Sequence, residues 1–208
     1  NKERIIVTGI PVHDTFMNMS EARRRRRPTH VLVAGGNQGL GNMLAFLRAV
    51  RMSTLFRYSV LCGANEQLHH EIASWKLPHI RPLPYIADPE EMNRLYDEVD
   101  AVITKPGGVT ISELLHKRLP IFTIDCLPGQ ERINLQYLQR NGLIYHLAEP
   151  PANGEQSIFR LLTDDVEKNR FFRRVSDYFA GVEKTGQEAL AEVVATMSQH
   201  MAWHVLRP

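Results

Sequence analysis

The 208-residue chain has few cysteines, no long hydrophobic run and almost no net charge. Its 2 cysteines are too few for a disulfide framework in a chain of this length, which favours a reducing compartment. The longest apolar runs, such as Val31–Ala34, span only a few residues, so we expect no segment to cross a bilayer. The 25 Lys and Arg residues nearly balance 23 Asp and Glu, and this charge does not predict a nucleic-acid partner.

What the sequence does have is the composition of an ordinary globular domain. Hydrophobic residues make up 43% and charged residues 23%, and a chain of this length can bury a substantial core. The length predicts one large domain or two small ones. No signal peptide is recognisable at the start of the sequence. The sequence begins with Asn rather than Met, and we interpret this first residue as a sign of a fragment.

Short β-branched runs alternate along the chain with longer amphipathic stretches. This alternation predicts a three-layer α/β domain with a mainly parallel sheet and right-handed crossovers. The predicted strands are 4–8, 30–34, 58–62, 79–83, 101–104, 121–124 and 143–146. The helices predicted between them are 40–52, 66–75, 89–98, 111–117 and 131–140. From residue 153 the strand signals stop, and helices are predicted at 156–162, 165–179 and 186–200.

An uninterrupted run of five arginines lies between the first two predicted strands. Its members are Arg23, Arg24, Arg25, Arg26 and Arg27. One interpretation is a solvated loop, as most charge runs are. The other is a patch for anionic lipid headgroups, to which each basic residue contributes about 1 kcal/mol. The run alone leaves both interpretations open.

In open parallel sheets, ligands bind at the carboxyl ends of the strands, so the strand-to-helix joins are the places to search. The first unusual join is the glycine-rich segment 35–41, Gly-Gly-Asn-Gln-Gly-Leu-Gly. It does not fit the dinucleotide fingerprint, because Leu44 stands where a glycine or alanine is needed. It does not fit the phosphate-binding P-loop either, because Asn42 and Met43 replace the lysine and the hydroxyl residue. Phosphate contact by the glycine backbone and a purely structural turn both remain possible interpretations.

The second join runs from Thr104 to Glu113, again between a strand and a helix. Thr110 and Glu113 have the spacing of a capping box, which predicts a structural role for both. A functional alternative uses Gly107 and Gly108 to expose amides to phosphate, with Glu113 accepting hydrogen bonds from ribose hydroxyls.

The third join, 128–134, places an amide, a carboxylate and a second amide within one turn. These groups belong to Gln130, Glu131 and Asn134. The preference of acidic residues for a helix start explains Glu131 but not Asn134. Clusters of amide and acid groups suit bidentate hydrogen bonding to sugar hydroxyls.

With these joins in place, the sequence resembles the carboxyl-terminal, nucleotide-sugar-binding domain of GT-B glycosyltransferases. It is most similar to diacylglycerol glucosyltransferases and monogalactosyldiacylglycerol synthases, within the family that includes the peptidoglycan N-acetylglucosaminyltransferase. The matching motifs are 8–12, 35–41, Tyr85–Ile86, 104–113 and 128–131 with Asn134. The resemblance implies a Rossmann-like half of a GT-B fold. Residues 1–208 would form the donor domain, with 153–208 a helical tail packing toward a missing acceptor domain.

The resemblance also implies two groups of site residues. The group for nucleotide and diphosphate is Gly36, Asn37, Gln38, Ile86, Gly108, Val109, Thr110 and Glu113. Within it the backbone of Ile86 would meet uracil and Glu113 the ribose. The group for the donor sugar is Gln130, Glu131 and Asn134. No catalytic residue is assigned, because the family's catalytic base lies in the acceptor domain.

The implied function is transfer of glucose or galactose from a UDP-sugar to a lipid acceptor such as diacylglycerol, on the cytoplasmic face of a membrane. One alternative is a single-domain subunit of a two-chain UDP-N-acetylglucosamine transferase that needs a membrane partner. Another is a UDP-sugar epimerase, for which the His13 region would have to supply acid–base chemistry.

We predict no cofactor and no metal. The nearest approach to the metal-binding Asp-x-Asp pattern is Glu98-Val99-Asp100, at a predicted helix–strand junction. The adjacent His69 and His70 point about 100° apart on a helix, so they cannot chelate as an i, i+4 pair would.

Overall fold

A computed structural model describes residues 9–17, 29–35, 42–124, 126–147, 151–182 and 188–196. Six strands form one sheet in the order β3-β2-β1-β4-β5-β6, and every neighbouring pair is parallel. The strands are β1 (His30–Ala34), β2 (Arg57–Leu61), β3 (Ile80–Leu83), β4 (Ala101–Thr104), β5 (Ile121–Thr123) and β6 (Tyr145–His146). The predicted α/β class is therefore confirmed, and the strand predicted at 4–8 lies outside the described residues.

Helices connect the strands and cover the sheet. They are α1 (Asn42–Val50), α2 (Glu66–Ser74), α3 (Pro89–Glu98), α4 (Gly108–His116), α5 (Gln130–Arg140), α6 (Pro151–Thr163) and α7 (Asp165–Ala180). A short 3-10 turn occupies Asp14–Met17, and residues 188–196 are helical. None of the helices in the described ranges has the length and hydropathy needed to cross a membrane.

The sheet has a hydrophobic core on each face. Strand β1 is buried along its whole length because its side chains alternate between the two cores, as expected of a central parallel strand. Ile158 of α6 is fully buried in one core and Phe171 of α7 is 1% exposed in the other. Helices α6 and α7 therefore complete this domain, while packing of the tail against an acceptor domain stays a prediction.

The strand order reverses at β1, and this positions the functional site. The chain passes from β1 to β2 and β3 on one side, then crosses back to β4 on the other side. The Thr104 hydroxyl donates to the carbonyl of Ala34 at 2.9 Å, tying the carboxyl ends of β4 and β1 together. Such a switch point leaves a crevice outside the strand ends where ligands bind in open α/β sheets.

Candidate functional site

A cleft of about 570 Å³ opens at this switch point, a size typical of small-molecule sites. It is formed by the segments that follow β1, β2, β3, β4 and β5, together with one face of α3. Its lining residues are Ala34, Gly35, Leu61, Gly63, Tyr85, Ile86, Met92, Tyr96, Thr104, Lys105, Gly107, Thr110, Glu113, Leu127 and Glu131. The second and third joins thus meet in one cleft, which the sequence predicted from their positions.

The second join, which borders this cleft, contains the backbone amides that begin helix α4. The Gly107 amide donates to the Lys105 carbonyl at 2.8 Å, which closes a turn around Pro106. The Ile111 amide is the first to bond into α4, donating to the Gly107 carbonyl at 3.1 Å. The amides of residues 108–110 precede that bond, and the first amides of a helix have no partner within it. They lie at the positive end of the helix dipole, so they can bind an anion.

The predicted capping box is wrong. Helix α4 begins at Gly108, three residues before the predicted start, and Gly107 is its N-cap without any side-chain hydrogen bond. Thr110 therefore lies inside the first turn, and the side chain of Glu113 lies a further turn along the helix. A capping box needs its Ser or Thr at the N-cap itself. The structure thus removes the structural explanation that the spacing of Thr110 and Glu113 offered.

The two glycines of this join, Gly107 and Gly108, differ in the space that a side chain would have at each position. A Cβ on Gly108 would lie 2.9 Å from Cδ1 of Ile10, so close packing excludes a side chain there. A Cβ on Gly107 would meet nothing within 4 Å, and its backbone is in the extended region with φ −75°. No contact within the described chain requires glycine at 107, which instead leaves open space on the cleft wall.

Glu113 points toward Tyr96 rather than toward its own helix start. The Tyr96 hydroxyl on α3 donates to Oε2 of Glu113 on α4 at 2.9 Å. Burial raises the pKa of Glu113, and the hydrogen bond from Tyr96 opposes this shift. Burial, together with the nearby carboxylate, holds the pKa of Tyr96 well above its ordinary value, so the hydroxyl remains a donor. The cleft therefore contains a half-buried carboxylate held by a neutral phenol.

The third join is held by hydrogen bonds made by two of its predicted sugar-binding residues. Oε2 of Glu131 accepts from the Leu127 amide at 2.7 Å, and Nδ2 of Asn134 donates to the Pro106 carbonyl at 3.0 Å. Asn134 thus links the third join to the second. This hydrogen bond gives a reason for the Asn134 side chain, which the preference for acidic residues at a helix start did not explain. Gln130 is exposed and is absent from the cleft lining, whereas Glu131 belongs to it.

The other predicted residues are divided between the cleft, its edge and the part of the chain outside the described residues. Ile86 lines the cleft. Gly108 and Val109 lie between lining residues, and Val109 is 57% exposed. Gly36, Asn37 and Gln38 fall outside the described residues. The roles implied for all of these residues stay predictions.

Sequence reasoning missed several cleft residues. The most informative are Met92 and Tyr96 on α3 and Lys105 after β4. Met92 and Tyr96 are four residues apart, so they share one face of the helix predicted at 89–98. That spacing could have predicted that the two side chains lie on one buried face of the helix. It could not have predicted which residue the tyrosine contacts.

The residues considered for alternative chemistry have structural roles. His13 accepts a hydrogen bond from the Thr15 amide at 3.3 Å and does not line the cleft, which removes support for an epimerase. Oδ2 of Asp100 accepts from the amides of Thr29 and His30 and so anchors the start of β1. Among the described residues no three His, Cys, Asp or Glu side chains are grouped as metal ligands would be. A metal-independent site stays a prediction.

The chain is similar in sequence to glycosyltransferases, although no protein-family model matches it. The uncharacterized glycosyltransferase YkoN of Bacillus subtilis is 40% identical over 180 residues, covering 86% of this chain and 48% of YkoN. A processive diacylglycerol beta-glucosyltransferase of Bacillus cereus is 28% identical over 177 residues, covering 79% of this chain and 44% of that enzyme. The chain therefore spans about half the length of the curated relatives it matches.

The chain also has the fold of several glycosyltransferases of solved structure. MurG of Acinetobacter baumannii matches with a TM-score of 0.65 at 16% identity, over 91% of this chain and 55% of MurG. UGT2 of Phytolacca americana, complexed with UDP-2fluoro-glucose and pterostilbene, matches with a TM-score of 0.64 at 12% identity, over 92% and 48%. The C-terminal domain of the glycosyl transferase LpcC of Francisella tularensis matches with a TM-score of 0.55 at 12% identity, over 83% and 98%. The chain is a homologue of glycosyltransferases and has the fold of the carboxyl-terminal half of a GT-B enzyme.

Proposed function

We propose that the cleft binds a UDP-sugar and that the chain is the donor-binding half of a glycosyltransferase. The observation that carries this proposal is the meeting of three features at the β1–β4 crevice. These are the free amides at the start of α4, the Glu113 carboxylate and the open wall at Gly107. Amides at a helix start suit a diphosphate, and a carboxylate accepts hydrogen bonds from ribose hydroxyls. Many phosphorylated ligands could bind such a site, and the homology to glycosyltransferases favours a nucleotide sugar among them.

The proposed orientation runs across the carboxyl ends of the strands. The diphosphate lies on the amides of Gly108, Val109 and Thr110, and the ribose lies against Glu113. Uracil then lies beside the backbone of Ile86, which follows β3 and lines the same cleft. Gly36, Asn37 and Gln38 complete the diphosphate side in this proposal.

The donor sugar is assigned to the first turn of α5. The Leu127 amide occupies Oε2 of Glu131, which leaves Oε1 to accept a sugar hydroxyl. Asn134 donates through Nδ2 to Pro106, so its carbonyl oxygen is the group offered to the sugar. Gln130 precedes Glu131 on the same turn and supplies the third polar group.

The proposed arrangement favours departure of UDP from the sugar. As the bond between sugar and diphosphate breaks, negative charge builds on the diphosphate. Helix amides and the ammonium of Lys105, which lines the cleft, stabilise that charge more strongly in the transition state than in the ground state. This part of the reaction needs no proton transfer from the chain, and the base that activates the acceptor belongs to the acceptor half.

For the whole protein we propose transfer of glucose or galactose to a lipid such as diacylglycerol. The similarity to a processive diacylglycerol beta-glucosyltransferase supports this choice of acceptor. Action at the cytoplasmic face of a membrane, with Arg23–Arg27 contacting anionic lipid, is part of the same proposal. The arginine run supplies the positive charge that such a surface attracts.

Calorimetric titration of the chain with nucleoside diphosphates tests donor binding. We expect one UDP per chain and weaker binding of ADP, whose purine is larger than uracil. Absence of UDP binding would contradict the donor assignment.

The acceptor is tested separately with the full-length protein, radiolabelled UDP-glucose or UDP-galactose, and vesicles that contain diacylglycerol. A labelled glycolipid is expected with one of the two donors. UDP binding without any labelled lipid would leave the donor site standing and refute the lipid acceptor.

A further inference from the structure

Tyr96 lines the cleft and joins two of its helices. Its hydroxyl on α3 donates to Oε2 of Glu113 on α4 at 2.9 Å. Its ring lines the cleft, is 1% exposed and packs against Phe16 with 5.6 Å between ring centroids. The ring is therefore fixed by packing, and the hydroxyl has a defined position relative to the carboxylate.

This hydrogen bond determines which part of the Glu113 carboxylate is offered to a ligand. A glutamate side chain has several rotatable bonds, and a free carboxylate would lose that freedom on binding. With Oε2 held by Tyr96, the carboxylate plane is set before any ligand arrives, and Oε1 is the more available acceptor. Preorganised acceptors of this kind bind more tightly because the ordering cost does not fall on the binding step.

The bond also favours the ionised form of this half-buried carboxylate. Burial raises the pKa of Glu113, and the hydrogen bond from Tyr96 lowers it again. Only the ionised form accepts hydrogen bonds through both oxygens. Loss of the phenol would therefore leave a carboxyl group that takes up a proton at a higher pH.

We propose that Tyr96 is a positioning residue that gives the cleft its preference for ribose over 2′-deoxyribose. This inference rests on the proposed function, in which Glu113 accepts hydrogen bonds from the ribose hydroxyls. A fixed carboxylate meets both hydroxyls of the ribose together, whereas a 2′-deoxynucleotide leaves one acceptor position unpaired. Sites built to bind a hydroxyl reject analogues that lack it, because a desolvated polar group is left without a partner.

The test compares UDP with 2′-deoxy-UDP on the chain and on Tyr96→Phe, which keeps the ring and removes only the hydroxyl. We expect the unchanged chain to prefer UDP and the variant to lose about tenfold in UDP affinity. This loss is smaller than that of a hydrogen bond made directly to the ligand, because Tyr96 acts through Glu113 and the bond between them is already present before UDP binds. The affinity for 2′-deoxy-UDP should fall less than the affinity for UDP, so the ratio of the two affinities should be smaller in the variant. Tyr137→Phe is the matched control, because Tyr137 is 54% exposed on α5 and lies outside the cleft.

A second readout separates positioning from a merely structural link between α3 and α4. In Tyr96→Phe the pH at which UDP affinity falls should move upward, because the bond that favours the ionised carboxylate is gone. Equal losses for both nucleotides with an unchanged pH midpoint would overturn the inference. If the variant does not fold, the unchanged chain still tests the inference, because equal affinity for UDP and 2′-deoxy-UDP would overturn it.

Failure of this inference differs from failure of the proposed function. An unchanged chain that binds no UDP refutes the donor site itself. An unchanged chain that binds UDP, with a ribose preference that survives removal of the Tyr96 hydroxyl, refutes only the role assigned to Tyr96.

Discussion

Replacing Gly107 by Asp should stabilise the fold while damaging nucleotide binding. Gly107 is the N-cap of α4, has an extended backbone, and leaves space for a Cβ. Asp is among the preferred N-cap residues, and its charge favours the positive end of the helix dipole. Relative to glycine, the cap contributes a few tenths of a kcal/mol and the dipole about 0.3–1 kcal/mol. For a chain of this size, about 1 kcal/mol raises the melting temperature by roughly 2–4 °C.

The same carboxylate should obstruct the diphosphate. It would accept hydrogen bonds from the amides of Val109 or Thr110, which the proposed ligand needs, and it would repel the phosphate charge. Loss of one hydrogen bond to a charged group is worth about 2 kcal/mol, or roughly thirtyfold in the dissociation constant. Repulsion adds to this loss, so we expect UDP affinity to fall at least thirtyfold.

Thermal unfolding and calorimetric titration with UDP together check this prediction. Gly107→Asn is the matched control, since it caps the helix with a similar side chain but carries no charge. We expect it to keep only the part of the stability gain that comes from the cap, a few tenths of a kcal/mol, and to lose less UDP affinity than Gly107→Asp. Unchanged UDP binding in the stabilised Asp variant would refute the assignment of the diphosphate to the α4 amides.

Three further changes test the remaining parts of the site. Burial raises the pKa of Glu113 in the folded chain above its unfolded value, so ionisation lowers stability as pH rises through that pKa. Glu113→Gln should therefore melt no lower than the unchanged chain at neutral pH, yet bind UDP more weakly; a lower melting temperature with unchanged affinity would indicate a structural role instead. Glu131→Ala and Gln130→Ala should weaken UDP-sugar more than UDP in calorimetry, and equal losses would argue against contact with the sugar. Serine at positions 23–27 should reduce sedimentation of the chain with anionic vesicles at low salt, where screening is least; unchanged sedimentation would leave this run as a solvated loop.

The sequence predicted the fold and the edge of the sheet where the site lies. Alternating apolar runs and amphipathic segments specify strands and helices locally, and six predicted strands appear in the structure within a few residues. In a parallel sheet every strand ends at the same edge, so glycine-rich joins after different strands had to converge. That inference needed no knowledge of side-chain contacts.

The contacts that define the site were not predictable from local pattern. Glu113 bonds to Tyr96 across two helices, and Asn134 bonds to Pro106 across two joins. The spacing of Thr110 and Glu113 matched a capping box, yet the helix begins earlier at Gly108. A local motif competes with tertiary contacts, and here Glu113 accepts from Tyr96 on another helix rather than bonding at the start of its own.

A crystal structure of the chain with UDP tests the central claim most directly. The proposed donor site predicts UDP in the crevice between β1 and β4, with phosphate oxygens within hydrogen-bond distance of the amides of residues 108–110. It also predicts the ribose hydroxyls on the Glu113 carboxylate. UDP bound elsewhere on the domain, or a crevice without nucleotide at saturating UDP, would contradict it.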